Sequence, residues 1–183
     1  MHPATEKLIS DLKELSLDAV ACDYAQRGYH YEIDLAADQV RTLAECLLQH
    51  EMYLVFVGGL DVKPAPRVVY QFASFTRPCR IVARAAVTEN NTVPTISDIF
   101  GGASWHERET RDFFGIVFTG HPYLKPLILA EEDVDLKPLL KGEEAIREFS
   151  EVSWAVAAEA SPEPEPKKPE AKKSEAKDKA EQG

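Results

Sequence analysis

The sequence predicts an α+β fold: a mostly antiparallel sheet packed with helices, followed by a C-terminal extension and a disordered tail. Three observations lead there. Apolar residues recur at helical spacing in two segments, Leu8, Ile9, Leu12 and Leu15, then Val40, Leu43, Ala44, Leu47 and Leu48. Three strand-like runs between residues 53 and 87 are joined by short connections, which favour antiparallel neighbours because a parallel crossover needs a dozen or more residues. Neither G-x-G-x-x-G nor G-x-x-x-x-G-K-S/T occurs, so the common phosphate-cradling loops of doubly wound folds are missing.

Taken in order, Thr5 to about Ser16 reads as a helix with one apolar stripe. A strand is expected near Asp18–Tyr24, then a turn at Gln26-Arg27-Gly28. Tyr29, Tyr31 and Ile33 alternate with His30, Glu32 and Asp34, the period of a half-buried strand. A second helix is expected over about Ala36–Glu51. Strands follow at Tyr53–Val57, Arg67–Phe75 and Arg80–Val87, separated by Gly58-Gly59 with Pro64-Ala65-Pro66 and by Thr76-Arg77-Pro78.

The chain has 183 residues, 31 acidic against 21 basic side chains, and a net charge of −10. That balance argues against nucleic acid as a partner, since binding it needs a basic face. No apolar run approaches the roughly 18 residues of a membrane span, so the chain is not expected to cross a bilayer. The N-terminus MHPATEKLIS carries no apolar core of a secretory signal. Cys22, Cys46 and Cys79 form no C-x-x-C, so a cysteine-built cluster is not expected and the thiols read as packed, reduced side chains.

Residues 159–183 separate from the rest. They hold seven acids, six lysines and no aromatic or β-branched residue, too little to offset the entropy of ordering. The expected division is a domain over 5–122, an extension over 123–158 that lies along a partner with Phe149 and Trp154 as aromatic anchors, and a Pro/Glu/Lys/Ala tail over 159–183.

The unusual chemistry lies in 94–122. Ser104-Trp105-His106-Glu107 reads as a capping box, starting a helix that ends at Gly115, a residue suited to the left-handed cap. On the helical wheel Trp105, Glu109, Asp112, Phe113 and Ile116 fall together, with Phe114, Glu107 and Arg111 opposite, so both sides are expected to be covered. Arg108, Glu109 and Asp112 are close enough to form one network. Three readings stand open: an acid/base dyad of Glu109 and Asp112, a metal site using His106 and the acids, or a buried ionic network fixing local structure or an interface. Glu107 and Glu109 point about 160° apart, against a shared metal. His121-Pro122 brings a lone histidine with no nucleophile tied to it.

The run Glu107-Arg108-Glu109-Thr110-Arg111-Asp112-Phe113-Phe114-Gly115-Ile116-Val117-Phe118-Thr119-Gly120-His121-Pro122 resembles the signature of the respiratory-chain NADH dehydrogenase 30-kDa subunit family, to which the C subunit of bacterial complex I belongs. Pro94–Phe100, Ala103-Ser104-Trp105 and, more weakly, Gly58-Gly59-Leu60-Asp61 are similar to it too, and the likeness spans about 5–141. The resemblance implies a non-catalytic subunit of the peripheral arm of a membrane-anchored oxidoreductase, on the cytoplasmic face. It implies no cofactor in this chain, with iron–sulfur clusters and a nickel–iron site or quinone in partner subunits. The expected partners are the large catalytic subunit and neighbouring iron–sulfur subunits. Glu107, Arg108, Glu109, Arg111, Asp112, Phe114, Gly115, His121 and Pro122 are then interface or structural residues.

Downstream the sequence departs from the respiratory pattern. Tyr123-Leu124-Lys125-Pro126-Leu127 replaces the usual Asp and Leu-Arg-Arg stretch, and Lys137-Pro138-Leu139-Leu140-Lys141-Gly142 only faintly echoes a later Gly-His-Pro-Leu-Arg-Lys-Asp-Tyr. This favours a relative in an energy-converting nickel–iron hydrogenase or similar ferredoxin-linked complex over the C subunit of an NADH:quinone oxidoreductase. A free-standing enzyme using Glu109 and Asp112 is the competing class.

Overall fold

The computed structural model describes residues 2–152. Its elements are α1 (Pro3–Glu14), β1 (Val20–Ala21), α2 (Tyr24–Arg27), β2 (Tyr31–Ala36), α3 (Val40–Gln49), β3 (Met52–Leu60), β4 (Arg67–Ser74), β5 (Arg80–Ala86), β6 (Thr92–Pro94), α4 (Ala103–Phe114) and β7 (Val117–Thr119). Strands β1 to β5 form one sheet in the order β1-β2-β5-β4-β3, and β6 pairs with β7. The β3–β4 and β4–β5 pairs are antiparallel, as their short connections require, and β2–β5 is parallel. Its connection runs through α3, β3 and β4, so the parallel pair does not break the rule. The fold is α+β with a mostly antiparallel sheet.

Alternation places the core on one face. Tyr31, Ile33 and Leu35 of β2, Ile81, Ala83 and Ala85 of β5, and Val68, Tyr70 and Phe72 of β4 are buried together with Leu8 and Leu12 of α1 and Leu43 and Leu47 of α3. Each large apolar side chain taken from water contributes roughly 1.5–3 kcal/mol. The opposite face carries charge: Arg84 of β5 donates to Asp34 at 2.9 Å and lies 3.2 Å from Glu32, while Arg67 reaches Asp34 at 3.7 Å. The thiols of Cys46 and Cys79 are buried and that of Cys22 half-buried.

Two sequence expectations are corrected, and one strand pair carried no sequence signal. The strand near Asp18–Tyr24 shrinks to Val20–Ala21 and is followed by the single turn α2, because Asp23 caps it, accepting from Ala25 N at 2.9 Å, and Gly28 closes it at φ 74°. The β6–β7 pair was not expected, since three residues are too few to show a period. Finally, the extension does not leave the domain over its described part. Lys63 N donates to Arg147 O and Phe149 N to Lys63 O, both at 3.0 Å. Phe149 packs under Arg67, whose guanidinium carbon is 3.8 Å from the ring centroid. The strap thus covers the sheet's charged face, which supplies a cation for the aromatic ring. Trp154 and the 159–183 tail lie outside the described residues. No helix among the described residues is long and apolar enough to cross a membrane.

Candidate functional site

Helix α4 is positioned by its N-terminal turn and by β3. It starts at Ala103, and Gly102 offers no side-chain cap. The expected capping box is not formed. Ser104 Oγ instead lies 3.2 Å from His121 Nε2. Glu107 turns inward, where Oε1 accepts from Ile96 N at 2.8 Å and Oε2 accepts from the Thr95 hydroxyl. The reason is the helix's orientation. Its core side is the stripe Ala103, Glu107, Thr110 and Phe114 at i, i+4, i+7 and i+11, with Glu107 and Thr110 fully or almost fully buried. Phe114 lies on the backbone of β3, where a Cβ on Gly59 would stand 2.4 Å from the ring. Glycine is required there by close approach. The opposite stripe is not fully covered: Trp105 is 68% exposed.

The outer side carries the contacts that hold the strap. Asp112 Oδ2 accepts from Leu127 N at 2.8 Å, Ile128 N at 2.9 Å and Leu129 N at 3.3 Å. One turn back, Arg108 donates from Nε to Lys125 O at 2.9 Å and from Nη2 to Pro126 O at 2.6 Å. Arg108 and Asp112 are therefore two anchors on one strap, not members of the single network expected with Glu109. Glu109 sits 4.0 Å from His106 Nδ1 and is half exposed. Arg111 Nη1 lies 3.6 Å from Asp112 Oδ1. Gly115 takes φ 71° and donates to Arg111 O at 2.9 Å, closing the helix as its sequence position predicts. Lys141 N donates to the buried Asp61 at 2.7 Å, so both residues of the Gly59/Asp61 motif hold the α4–strap assembly.

The electrostatics differ for the two buried acids. Burial pushes Glu107 up to about 7, against the pull of the Thr95 and Ile96 hydrogen bonds. Burial also opposes the charge of Asp112, but three backbone N–H groups and Arg111 outweigh it and hold its carboxyl below the usual range. Around Glu107, His121 Nε2 stands 3.9 Å from Oε2. Its Nδ1 accepts from Tyr123 N at 3.0 Å, so the neutral ring carries its proton on Nε2 and donates to Ser104 O at 3.2 Å. The Tyr70 hydroxyl on β4 is buried, has no hydrogen-bond partner among the described residues, and is pushed well up by burial and by Glu107. Pro122, next to His121, is exposed.

The structure thus brings Glu107, His121 and Phe114 to the inner side and Arg108 and Asp112 to the strap side, with Arg111 beside Asp112. It places Phe149 on the far face of the sheet. Between α4 and β3 a shallow cleft of about 260 Å³ remains, lined by Phe56, Gly58, Gly59, Glu109, Phe113 and Leu139 among others. Thr95, Tyr70 and Asp61 are site residues that the sequence did not single out for chemistry. For Thr95 and Asp61 the only signal was membership of the flanking motifs.

The family model of the respiratory-chain NADH dehydrogenase, 30 Kd subunit, matches residues 33–148, reaching into the strap as far as its contact with Lys63. The C subunit of the NADH-quinone oxidoreductase of Roseiflexus sp. (strain RS-1) is 48% identical over 86 residues, 46% of this chain and 49% of that protein. The fused C/D subunit of the NADH-quinone oxidoreductase of Nitrosospira multiformis is 44% identical over 108 residues, 57% of this chain and 16% of that protein. The chain spans about half the length of the first of these and less of the fused relative. Among solved structures, the trypsin-resistant fragment of Nqo5 superposes with a TM-score of 0.53 at 25% identity, covering 66% of this chain and 99% of that one. A chain of the membrane-bound sulfane sulfur reductase, an archaeal respiratory membrane complex, shares the fold, with a TM-score of 0.63 at 19% identity over 73% of this chain and 82% of that one. With the signature helix, its glycine seat and the 125–129 stretch that it holds all inside the matched span, the chain belongs to the respiratory-chain NADH dehydrogenase 30 Kd subunit family.

Proposed function

We propose that this protein is a non-catalytic structural subunit of a complex-I-related, membrane-anchored oxidoreductase, packing against the large catalytic subunit in the peripheral arm on the cytoplasmic face of the membrane. The observation that carries this reading is how the signature residues are used. Glu107 accepts from Thr95 and Ile96, Asp112 from three strap amides, and Arg108 donates to two strap carbonyls. Such bonds fix a surface; they do not leave an acid and a base converging on one substrate position. In this reading the iron–sulfur clusters, and the quinone or nickel–iron site, belong to partner subunits.

The names of the curated relatives support an NADH:quinone oxidoreductase as the complex. A second reading, an energy-converting hydrogenase or similar ferredoxin-linked complex, is favoured by the missing arginine and acid in 137–142. Affinity purification of the tagged chain from membranes separates them. A co-purifying large subunit with two C-x-x-C pairs indicates the hydrogenase type, and one without them the quinone type. A chain that comes away alone and turns over a substrate overturns both.

A further inference from the structure

Towards the other end of the β3–β4 ladder, about 10–20 Å along β3 from the α4 cleft at roughly 3.3 Å per residue, lies a second concavity of about 370 Å³. Its nine lining residues include Tyr24, His30, Tyr53, Arg77, Cys79 and Arg80, and no carboxylate. That is unusual in a chain of net charge −10. Arg77 is only 6% exposed. Its Nη2 donates to His50 O at 3.0 Å, while Nε has no partner among the described residues. Two acids of the flanking elements are engaged: Asp11 with His50 Nε2 at 2.8 Å and Asp23 in the cap of α2.

The remaining walls also present donors. Arg80 N donates to His30 Nδ1 at 3.0 Å, leaving the ring proton on Nε2. Burial and the Arg80 charge hold His30 below its usual range, so it is a neutral donor beside the Arg80 cation. The rim is aromatic. Tyr24 stacks on His30 at 4.6 Å, and Tyr53 stacks on Phe75 at 3.9 Å. Phe75, at the tip of the β4–β5 hairpin, is 84% exposed, and Tyr24 is 48% exposed. Aromatics and arginine with few carboxylates are the composition of interface cores.

We infer that this cleft is a second docking surface, which takes an acidic segment of another polypeptide of the complex, its carboxylate meeting Arg80 above the buried Arg77 charge and its backbone lying against Tyr53 and Phe75. The inference rests on the subunit reading above and adds a contact remote from α4. Charge complementarity selects the occupant: a basic, carboxylate-free cleft on an acidic protein attracts an acidic segment and repels a second basic face.

The test is photocrosslinking in the assembled complex, with p-benzoylphenylalanine in place of Phe75, followed by mass spectrometry of the linked peptide. The expected product is a peptide of another polypeptide of the complex containing Asp or Glu. Phe75→Ala and Arg80→Glu should lower retention in the complex by about tenfold or more, as for loss of an interface anchor. Phe75→Ala should leave the melting of the full chain unchanged. A link only to residues 153–183 of this chain, to a second copy, or to a segment without acids overturns the inference. So does an assembled complex that yields no link. A chain that assembles with nothing overturns the subunit reading and this inference together.

Discussion

Arg108 and Asp112 stand one helical turn apart and hold the same strap by opposite chemistry. The arginine donates to the carbonyls of Lys125 and Pro126, and the aspartate accepts from the amides of Leu127, Ile128 and Leu129. Opposite charges at i and i+4 would ordinarily pair across the turn. Here each answers a different half of one backbone segment, so five main-chain groups are satisfied by two side chains. These five groups of the strap can then lie against the helix with their hydrogen bonds made.

Removing the acceptor should therefore be costly. Asp112→Ala leaves three amides without their partner beneath the strap, and we expect a loss of about 3 kcal/mol, on the scale of a few unsatisfied buried donors. Asp112→Asn keeps one acceptor oxygen and should cost less. Chemical denaturation of the full chain reads both. The folded carboxyl is held below its ordinary value, so its contribution is complete above the unfolded value near 4 and is lost as pH falls through the folded one. The Asp112→Asn variant should lose less stability than the parent on acidification below about pH 4.

Glu107 behaves in the opposite sense. Its folded value of about 7 lies above that of an unfolded glutamate, so the folded protein binds a proton that the unfolded chain has released. Between roughly pH 4.5 and 7 this term lowers stability as pH rises, by at most about 1.4 kcal/mol per unit, and above 7 it levels off. Glu107→Gln should flatten that part of the profile. The amide oxygen can still accept from Ile96, and the Thr95 hydroxyl can turn to accept from the amide nitrogen. Denaturation midpoints of the two proteins across that range provide the comparison, and parallel profiles would show that Glu107 does not titrate in it.

The sheet was readable because its signals are local. Val68, Tyr70 and Phe72 alternate along β4, and Thr76-Arg77-Pro78 makes a connection too short for anything but an antiparallel turn. The core-facing side of α4 was not, because Glu107 and Thr110 occupy it. Polar residues on a helix read as its wet side, and only the loop at Thr95 and Ile96, brought in by tertiary folding, makes Glu107 an inner residue. Trp105 misled in the other direction, as a large apolar residue left mostly exposed. The strap's path was equally illegible. Phe149 carries the composition of an interface anchor, and nothing local says that its partner is Arg67 of the same chain.

Gly59 gives a direct test of the α4 seat. A methyl group added there meets the Phe114 ring at 2.4 Å, and overpacking of this kind costs typically about 1–3 kcal/mol. Gly59→Ala should therefore destabilise the parent. In a Phe114→Ala background the ring is gone and the same change should be close to neutral. A double-mutant cycle reads the coupling directly. Additive effects would mean that the glycine is needed for some reason other than the approach of Phe114.

The strap's far end separates folding from assembly. Phe149 lies against Arg67 at 3.8 Å, with Arg84 at 5.4 Å from the same ring, a partly buried cation–aromatic contact worth on the order of 1–2 kcal/mol. Phe149→Ala should lower the stability of the full chain by about that much plus the ring's lost burial, near 2–3 kcal/mol in total. Trp105→Ala, whose side chain is mostly exposed, should change stability by less than about 0.5 kcal/mol yet weaken retention in the complex, if α4 faces a neighbouring polypeptide. Melting of each full-length variant, set beside the amount recovered with the tagged complex, distinguishes the roles. A Phe149→Ala protein that melts like the parent but fails to assemble would move Phe149 from the domain's own packing to a partner interface.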